Sequence, residues 1–353
     1  MNALGDHLIA RIRASGPMTL ADYMTTCLMH PLHGYYSTRD PFGKAGDFTT
    51  APEISQMFGE VIGLCLAQTW LDQGAPTPFT LAEAGPGRGT LMADMLRATR
   101  AVPGFHNALR LHLIETSPTL RSRQALTIAR ADITWHDHVE TLPDAPLFLV
   151  ANEFFDALPI RQFQRRGKGW CERLVGLRDG ALALGLGGPI SPPGLAHRLA
   201  DTQEGDIVET CAPGQAIAAG IGARIAEHGG AALIIDYGDW RSLGDTFQAL
   251  RGHAPADPLA DPGQADLTAH VDFEALAQAA PCAHSRLTPQ GTFLQRLGIA
   301  QRAEILGRTL ADTARDSHMA AYHRLTAPAE MGRLFKVLAL YPASAAPPPG
   351  LDP

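Results

Sequence analysis

The chain has 353 residues, 45% hydrophobic and 18% charged, with 29 basic against 36 acidic residues and a formal net charge of -7. Such a composition makes one large or two modest folded cores, and its acidic balance argues against general binding along a nucleic-acid backbone. The five cysteines are odd in number and include no C-x-x-C pair, so they offer no metal ribbon or redox motif and fit a reducing cytoplasm.

At the N-terminus Asp6 and Arg11 interrupt the apolar residues, so no signal peptide is expected, and no later run approaches the roughly 18 apolar residues of a membrane span. From Leu4 to Thr26 apolar residues recur at helical spacing, and Gly16-Pro17 divides the stretch into two helices. Residues 31–53, rich in Gly, Pro and aromatic residues, predict a long ordered loop in which Asp47, Thr49 and Thr50 close over a ligand as a lid. Ile54–Leu71 predicts an amphipathic or buried helix ending at Gln73-Gly74, so that residues 1–75 form a helical cap with its lid loop.

An alternation of strands and helices follows. Strands are expected at Phe79–Ala84, Leu111–Glu115, Ile133–Trp135, Leu147–Ala151 and Ala231–Asp236, and helices at Thr90–Thr99, Pro118–Arg130 and Pro213–His228. This pattern predicts a doubly wound α/β core with a mostly parallel sheet, built from residues 76–159 and 211–345. Between them, residues 160–210 carry short runs such as Trp170–Leu177 and Ala181–Leu186 separated by glycine turns, which predicts a β-hairpin insertion. Residues 251–268 are expected as a second long loop and residues 346–353 as a flexible tail.

The most informative segment is Leu81-Ala82-Glu83-Ala84-Gly85-Pro86-Gly87-Arg88-Gly89-Thr90, between a strand and a helix. Gly85, Gly87 and Gly89 let the backbone approach a ligand and present the helix N-terminus to it. The spacing is G-x-G-x-G, and Glu83 at the strand end suits a positively charged methionyl group, whereas it would repel a pyrophosphate. Glu115, ending the next strand, is placed to accept hydrogen bonds from two ribose hydroxyls. Trp135 and His136 at the third strand end could flank an adenine, although an aromatic there is as often core packing.

These residues sit within a wider set of motifs. Gly46-Asp47-Phe48-Thr49-Thr50-Ala51-Pro52-Glu53, Ala151-Asn152-Glu153-Phe154-Phe155-Asp156, Ile235-Asp236-Tyr237-Gly238, Ala265-Asp266-Leu267-Thr268-Ala269-His270 and Met331-Gly332-Arg333-Leu334-Phe335 make the chain resemble the MidA-like methyltransferases over roughly residues 20–340. The resemblance implies the class I S-adenosylmethionine (SAM) methyltransferase fold and SAM as cofactor. Mitochondrial members of that family are respiratory complex I assembly factors that dimethylate an arginine of a complex I core subunit. It therefore implies a protein substrate, a complex I subunit among the candidates.

Methyl transfer from a sulfonium is an in-line displacement, so the enzyme must align the nucleophile and manage its proton. A guanidinium, with a pKa above about 12, is a poor nucleophile that carboxylates can grip and polarise. Glu153 is the first choice for that carboxylate, with Asp156 as helper and Asn152 beside them, because all three follow the fourth strand at the edge where a doubly wound sheet places its crevice. The bland alternative is that Asn152 and Asp156 cap a turn. Asp236, Tyr237 and His270 are expected on the substrate side. His136 with His138, and His30 with His33, lack a third ligand nearby, so no metal is expected. Two competing readings are a dinucleotide-dependent oxidoreductase, which should carry G-x-G-x-x-G and no carboxylate at position 83, and a non-catalytic assembly or binding module, which would not need an intact glycine cradle.

Overall fold

A computed structural model describes residues 2–38 and 50–353. Its centre is a seven-strand path: β1 Phe79–Ala84, β2 Leu109–Ile114, β3 Ile133–His136, β4 Leu147–Asn152, β5 Gly230–Asp239, β6 Ala283–His284 and β7 Phe335–Tyr341. Across the sheet the order is β3-β2-β1-β4-β5-β7-β6. Strands β1 to β5 run parallel, and β7 is antiparallel to β5.

The sheet's apolar runs alternate between two cores, as a period of two requires when both faces are covered. Phe79, Leu81, Phe148, Val150, Leu233 and Ile235 point into one cluster, which contains the Gln56–Asp72 and Thr90–Ala98 helices. Ala82, Ala84, Leu149, Ala151, Ala232 and Ile234 point into the other, against the Ala212–His228 helix. The Gln56–Asp72 helix therefore belongs to the sheet core and not to an N-terminal cap. Its Glu60, buried, accepts from Arg302 Nε at 2.6 Å and from Arg97 Nη2 at 3.0 Å. Burial alone would raise the Glu60 pKa, but these guanidiniums hold it below the usual carboxylate value. Arg302→Ala should cost about 1–3 kcal/mol in urea unfolding, the scale for stripping a buried acceptor of its partner.

The N-terminal helices Ala3–Ser15 and Leu20–Met29 are separated at Gly16-Pro17 and begin on Asn2 and Thr19, whose side chains accept from Gly5 N and Asp22 N. Between them Met18–Thr19 pairs with Val175 and Leu174, joining an antiparallel sheet formed by Arg161–Arg166, Gly169–Arg178, Ala181–Ile190 and Ile207–Thr210. Leu8, Tyr23 and Met24 share one core with Ile160, Val175, Ala249 and Leu267. Cap and insertion are thus a single lobe.

Two expectations fail. The segment expected as a loop contains a three-stranded antiparallel sheet, Gln248–Arg251, Ala254–Ala256 and Asp266–Thr268. Its proline, Pro255, lies on an edge strand, where a missing N–H costs least. The C-terminal residues are packed, not loose. Leu351 is buried, Pro349 O accepts from Cys65 Sγ, and Asp352 pairs with Arg296 at 2.8 Å. A proline-rich composition signals mobility only where nothing buries the intervening apolar residue.

Candidate active site

The carboxyl ends of β1, β2, β4 and β5 converge on one edge of the sheet, where the chain turns from strand to loop. After β1, Gly85, Gly87 and Gly89 take φ of +65°, +51° and +83°. Only glycine adopts these angles freely. Packing is also close at two of the three: a Cβ on Gly85 would meet Phe154 Cδ2 at 2.9 Å, which forces a shift, and one on Gly89 would press on Ile128 Cδ1 at 3.2 Å. The cradle is therefore locked to β4's loop on one side and to the Pro118–Ile128 helix on the other.

A cleft opens over this turn, lined by Thr50, Glu53, Glu83, Gly85, Gly87, Thr90, Asn152 and Glu153 among others. Glu83 is buried at its wall, and its Oε2 has no hydrogen-bond partner among the described residues. Burial pushes the Glu83 carboxyl up to about 8, with a hydrogen bond from the Met92 backbone working the other way. Such an orphaned acceptor is costly unless a cationic or donor group meets it.

Glu115 stands one strand over. Its Oε1 accepts from Ser117 N at 2.8 Å and its Oε2 from Gln124 Nε2 at 3.2 Å. Gln124, fully buried, also donates to Gly87 O at 2.9 Å and accepts from Trp135 Nε1 at 2.8 Å. It couples the glycine turn to Glu115, and the sequence reading missed it. The signal was there, because Leu120, Gln124 and Ile128 recur every four residues on the helix's buried face. Trp135 is half-buried against the core, its indole N–H committed to Gln124. His136 is held through both of its ring nitrogens. Its Nε2 lies 2.8 Å from His112 Nδ1 and its Nδ1 2.7 Å from Thr141 Oγ1, so both ring nitrogens are engaged at the sheet's edge strand and only the ring face could meet a ligand.

After β4, Glu153 takes a left-handed φ of +50°. Its Oε1 accepts from Ala51 N and from Asn152 Nδ2, both at 3.1 Å. The short Ala51–Ile54 helix thereby sits over the cleft, tied again through Thr90 Oγ1, which donates to Glu53 Oε1 at 2.6 Å. Asp156 is buried, with Oδ2 accepting from Tyr237 Oη at 2.6 Å and Oδ1 without a hydrogen-bond partner among the described residues. Burial, reinforced by Asp156, lifts Glu153 to about 7; burial lifts Asp156 to about 6.

Asp236 does not face the cleft. Fully buried, it accepts through Oδ2 from the backbone N–H groups of Phe154, Phe155 and Asp156 at 3.0–3.2 Å, and through Oδ1 from Tyr237 N at 3.0 Å. Four N–H donors fill it, so no substrate hydrogen bond is available there. Tyr237 has its hydroxyl on Asp156 and its ring against His270 and Phe335, with centroids 5.4 Å from each. His270 is half-buried behind Tyr237, away from the residues lining the cleft, and burial and Lys336 hold its pKa down. Asp47 and Thr49 lie outside the described residues; Thr50 lines the cleft.

Residues 61–292 match the family described as "Putative S-adenosyl-L-methionine-dependent methyltransferase". The chain belongs to this family. Over 97% of its length it is 36% identical to the Xenopus laevis protein named protein arginine methyltransferase NDUFAF7, mitochondrial, covering 85% of that protein. It is likewise 36% identical to the human protein of the same name, over 95% of this chain and 82% of that one. A crystal structure from Burkholderia thailandensis, bound to S-adenosyl-homocysteine, superposes with a TM-score of 0.83 at 32% identity, covering 99% of this chain and 93% of that chain. The fold is that of the SAM-dependent methyltransferases and SAM is the cofactor. The cleft fits such a group, because the buried, orphaned Glu83 oxygen offers a carboxylate to a cationic ligand beside a glycine turn. One expectation is overturned. The cytoplasmic setting conflicts with relatives named as mitochondrial proteins, since five free cysteines report a reducing environment and not an address.

Proposed function

We propose that this methyltransferase transfers the methyl group to an arginine side chain of a protein, with Glu153, Asp156 and Asn152 as the substrate-facing groups. One observation carries the reading. At the cofactor cleft stands the half-buried Glu153, with the buried Asp156 three residues on; neither is hydrogen-bonded to a basic side chain among the described residues, only Arg324 acts on Glu153 through its charge, and the acceptors Asn152 Oδ1 and Asp156 Oδ1 have no hydrogen bond there. Carboxylates withdrawn from water without a directly paired cation are unfavourable, and a planar guanidinium with five donors would satisfy them. Relatives named as protein arginine methyltransferases support the same choice.

In this reading Glu83, Glu115 and the glycine turn hold the cofactor, with Trp135 supporting them through Gln124. Bound SAM supplies an electrophilic methyl on a sulfonium. Glu153 accepts from the guanidinium nitrogens that do not attack and concentrates positive charge on them, leaving electron density on the third. Asp156, raised toward 6, is a competent acceptor for the proton the methylated nitrogen sheds. Tyr237 keeps its Oδ2 engaged, so the free Oδ1 is the oxygen left for substrate.

A pH dependence follows. Carboxyls titrating near 6 and 7 are protonated, and cannot grip a cation, at lower pH. The kcat/KM profile should rise through pH 6–7 as the pair ionises and then level off, the apparent midpoints belonging to the pair. A flat acidic limb down to about pH 5 would contradict it. The motif resemblance makes a complex I core subunit the candidate protein substrate to test. Purified core subunits incubated with enzyme and labelled SAM should acquire label on arginine; label only on unrelated proteins would refute that choice of partner.

A further inference from the structure

We infer that Asp236 is a positioning residue for methyl transfer, a carboxylate clamp that folds the β4 turn so that Glu153 faces the cofactor cleft. The inference rests on the reading of Glu153 above.

Strand pairing runs as far as Glu153, whose N–H donates to Ile235 O at 3.0 Å. There the chain leaves the sheet through φ of +50°, a conformation that side chains other than glycine rarely adopt. The three N–H groups that follow, on Phe154, Phe155 and Asp156, point inward and have lost their strand partners. All three converge on one oxygen, Asp236 Oδ2. Its other oxygen takes Tyr237 N, and Tyr237 in turn donates to Asp156. One residue of β5 thereby sets both carboxylates of the β4 turn: Glu153 through the backbone it bends, Asp156 through its own N–H and through Tyr237.

The alternative, a capping residue that serves stability alone, would be satisfied by any turn geometry. It gives no reason why a buried negative group stands within reach of two others. Repulsion among Glu153, Asp156 and Asp236 opposes the arrangement, and burial and those charges push the Asp236 pKa well up against the pull of the N–H donors. Strained backbone and crowded like charges persist where the geometry they fix is used.

The test compares D236N, E153Q and the double variant in the full chain. Asparagine can turn its carbonyl toward the three N–H groups, but its amide then faces Tyr237 N–H, so the turn loosens without vanishing. We expect D236N to bind S-adenosylhomocysteine within about threefold of wild type by calorimetry while kcat falls at least about tenfold, the range for lost transition-state positioning. In the E153Q background D236N should cost clearly less than in the wild type, because one of the two carboxylates it positions is already disabled. Additive losses in the double variant, wild-type kcat in D236N beside an impaired E153Q, or an equal loss of S-adenosylhomocysteine affinity would overturn the proposal. Should D236N fail to fold, D236S, which keeps a short acceptor, carries the same comparison; failure of both to fold makes Asp236 a stability residue and overturns it too. Normal turnover in E153Q alone would instead remove the reading of Glu153 beneath it.

Discussion

Replacing Glu153 with glutamine should slow methyl transfer by roughly two to three orders of magnitude while leaving the affinity for S-adenosylhomocysteine unchanged. The variant keeps shape, and its amide oxygen can still accept from Ala51 N and Asn152 Nδ2, as Oε1 does at 3.1 Å. What it lacks is the charge. A charge-assisted contact made in the transition state is worth about 3–4 kcal/mol, and its loss appears in kcat, not in cofactor binding. Single-turnover transfer of labelled methyl and calorimetry separate the two. Normal turnover, or a matching loss of cofactor affinity, would show that Glu153 does not act on the substrate.

Gly87→Val should abolish the rise in unfolding midpoint that S-adenosylhomocysteine gives the wild-type protein, since a ligand stabilises only the state that binds it. Gly87 lines the cleft at φ of +51° and its carbonyl accepts from Gln124 at 2.9 Å. A β-branched side chain there both strains the backbone, by about 1–3 kcal/mol, and occupies the ligand's approach. Gly16→Val separates these effects. Gly16 has φ of +83° with open space around its missing Cβ, so that variant should lose comparable stability yet keep the full ligand response. Retained binding in Gly87→Val would remove the glycine turn from the cofactor site.

The central sheet was legible because its strands are buried on both faces and read as apolar runs between helices of regular period, as at Phe79–Ala84 and Leu147–Asn152. The Gln248–Thr268 sheet was not, since its strands of three or four residues carry no period long enough to detect, and glycines and a proline mask them. At the site, Glu83, Asn152, Glu153 and the glycine turn could be placed from strand ends alone, because a doubly wound sheet sends its C-terminal edges to one crevice. Position at that edge does not say where a side chain points. Asp236, near the end of β5, and Glu153, just past β4, stand at the same edge and look alike in sequence, yet one turns back onto backbone N–H groups and the other lines the cleft. The partners of His136 were hidden for a related reason: His112 and Thr141 are brought to it only by strand pairing and a helical turn.

In the proposed reaction the cleft delivers a methyl group to a guanidinium on a protein. The most direct test is to incubate the enzyme with methyl-labelled SAM and a lysate of cells lacking it, then identify the labelled residue by mass spectrometry. Label is expected on arginine of a protein, absent with Glu153→Gln. Label confined to a neutral nucleophile such as glutamine, or to small molecules alone, would contradict it.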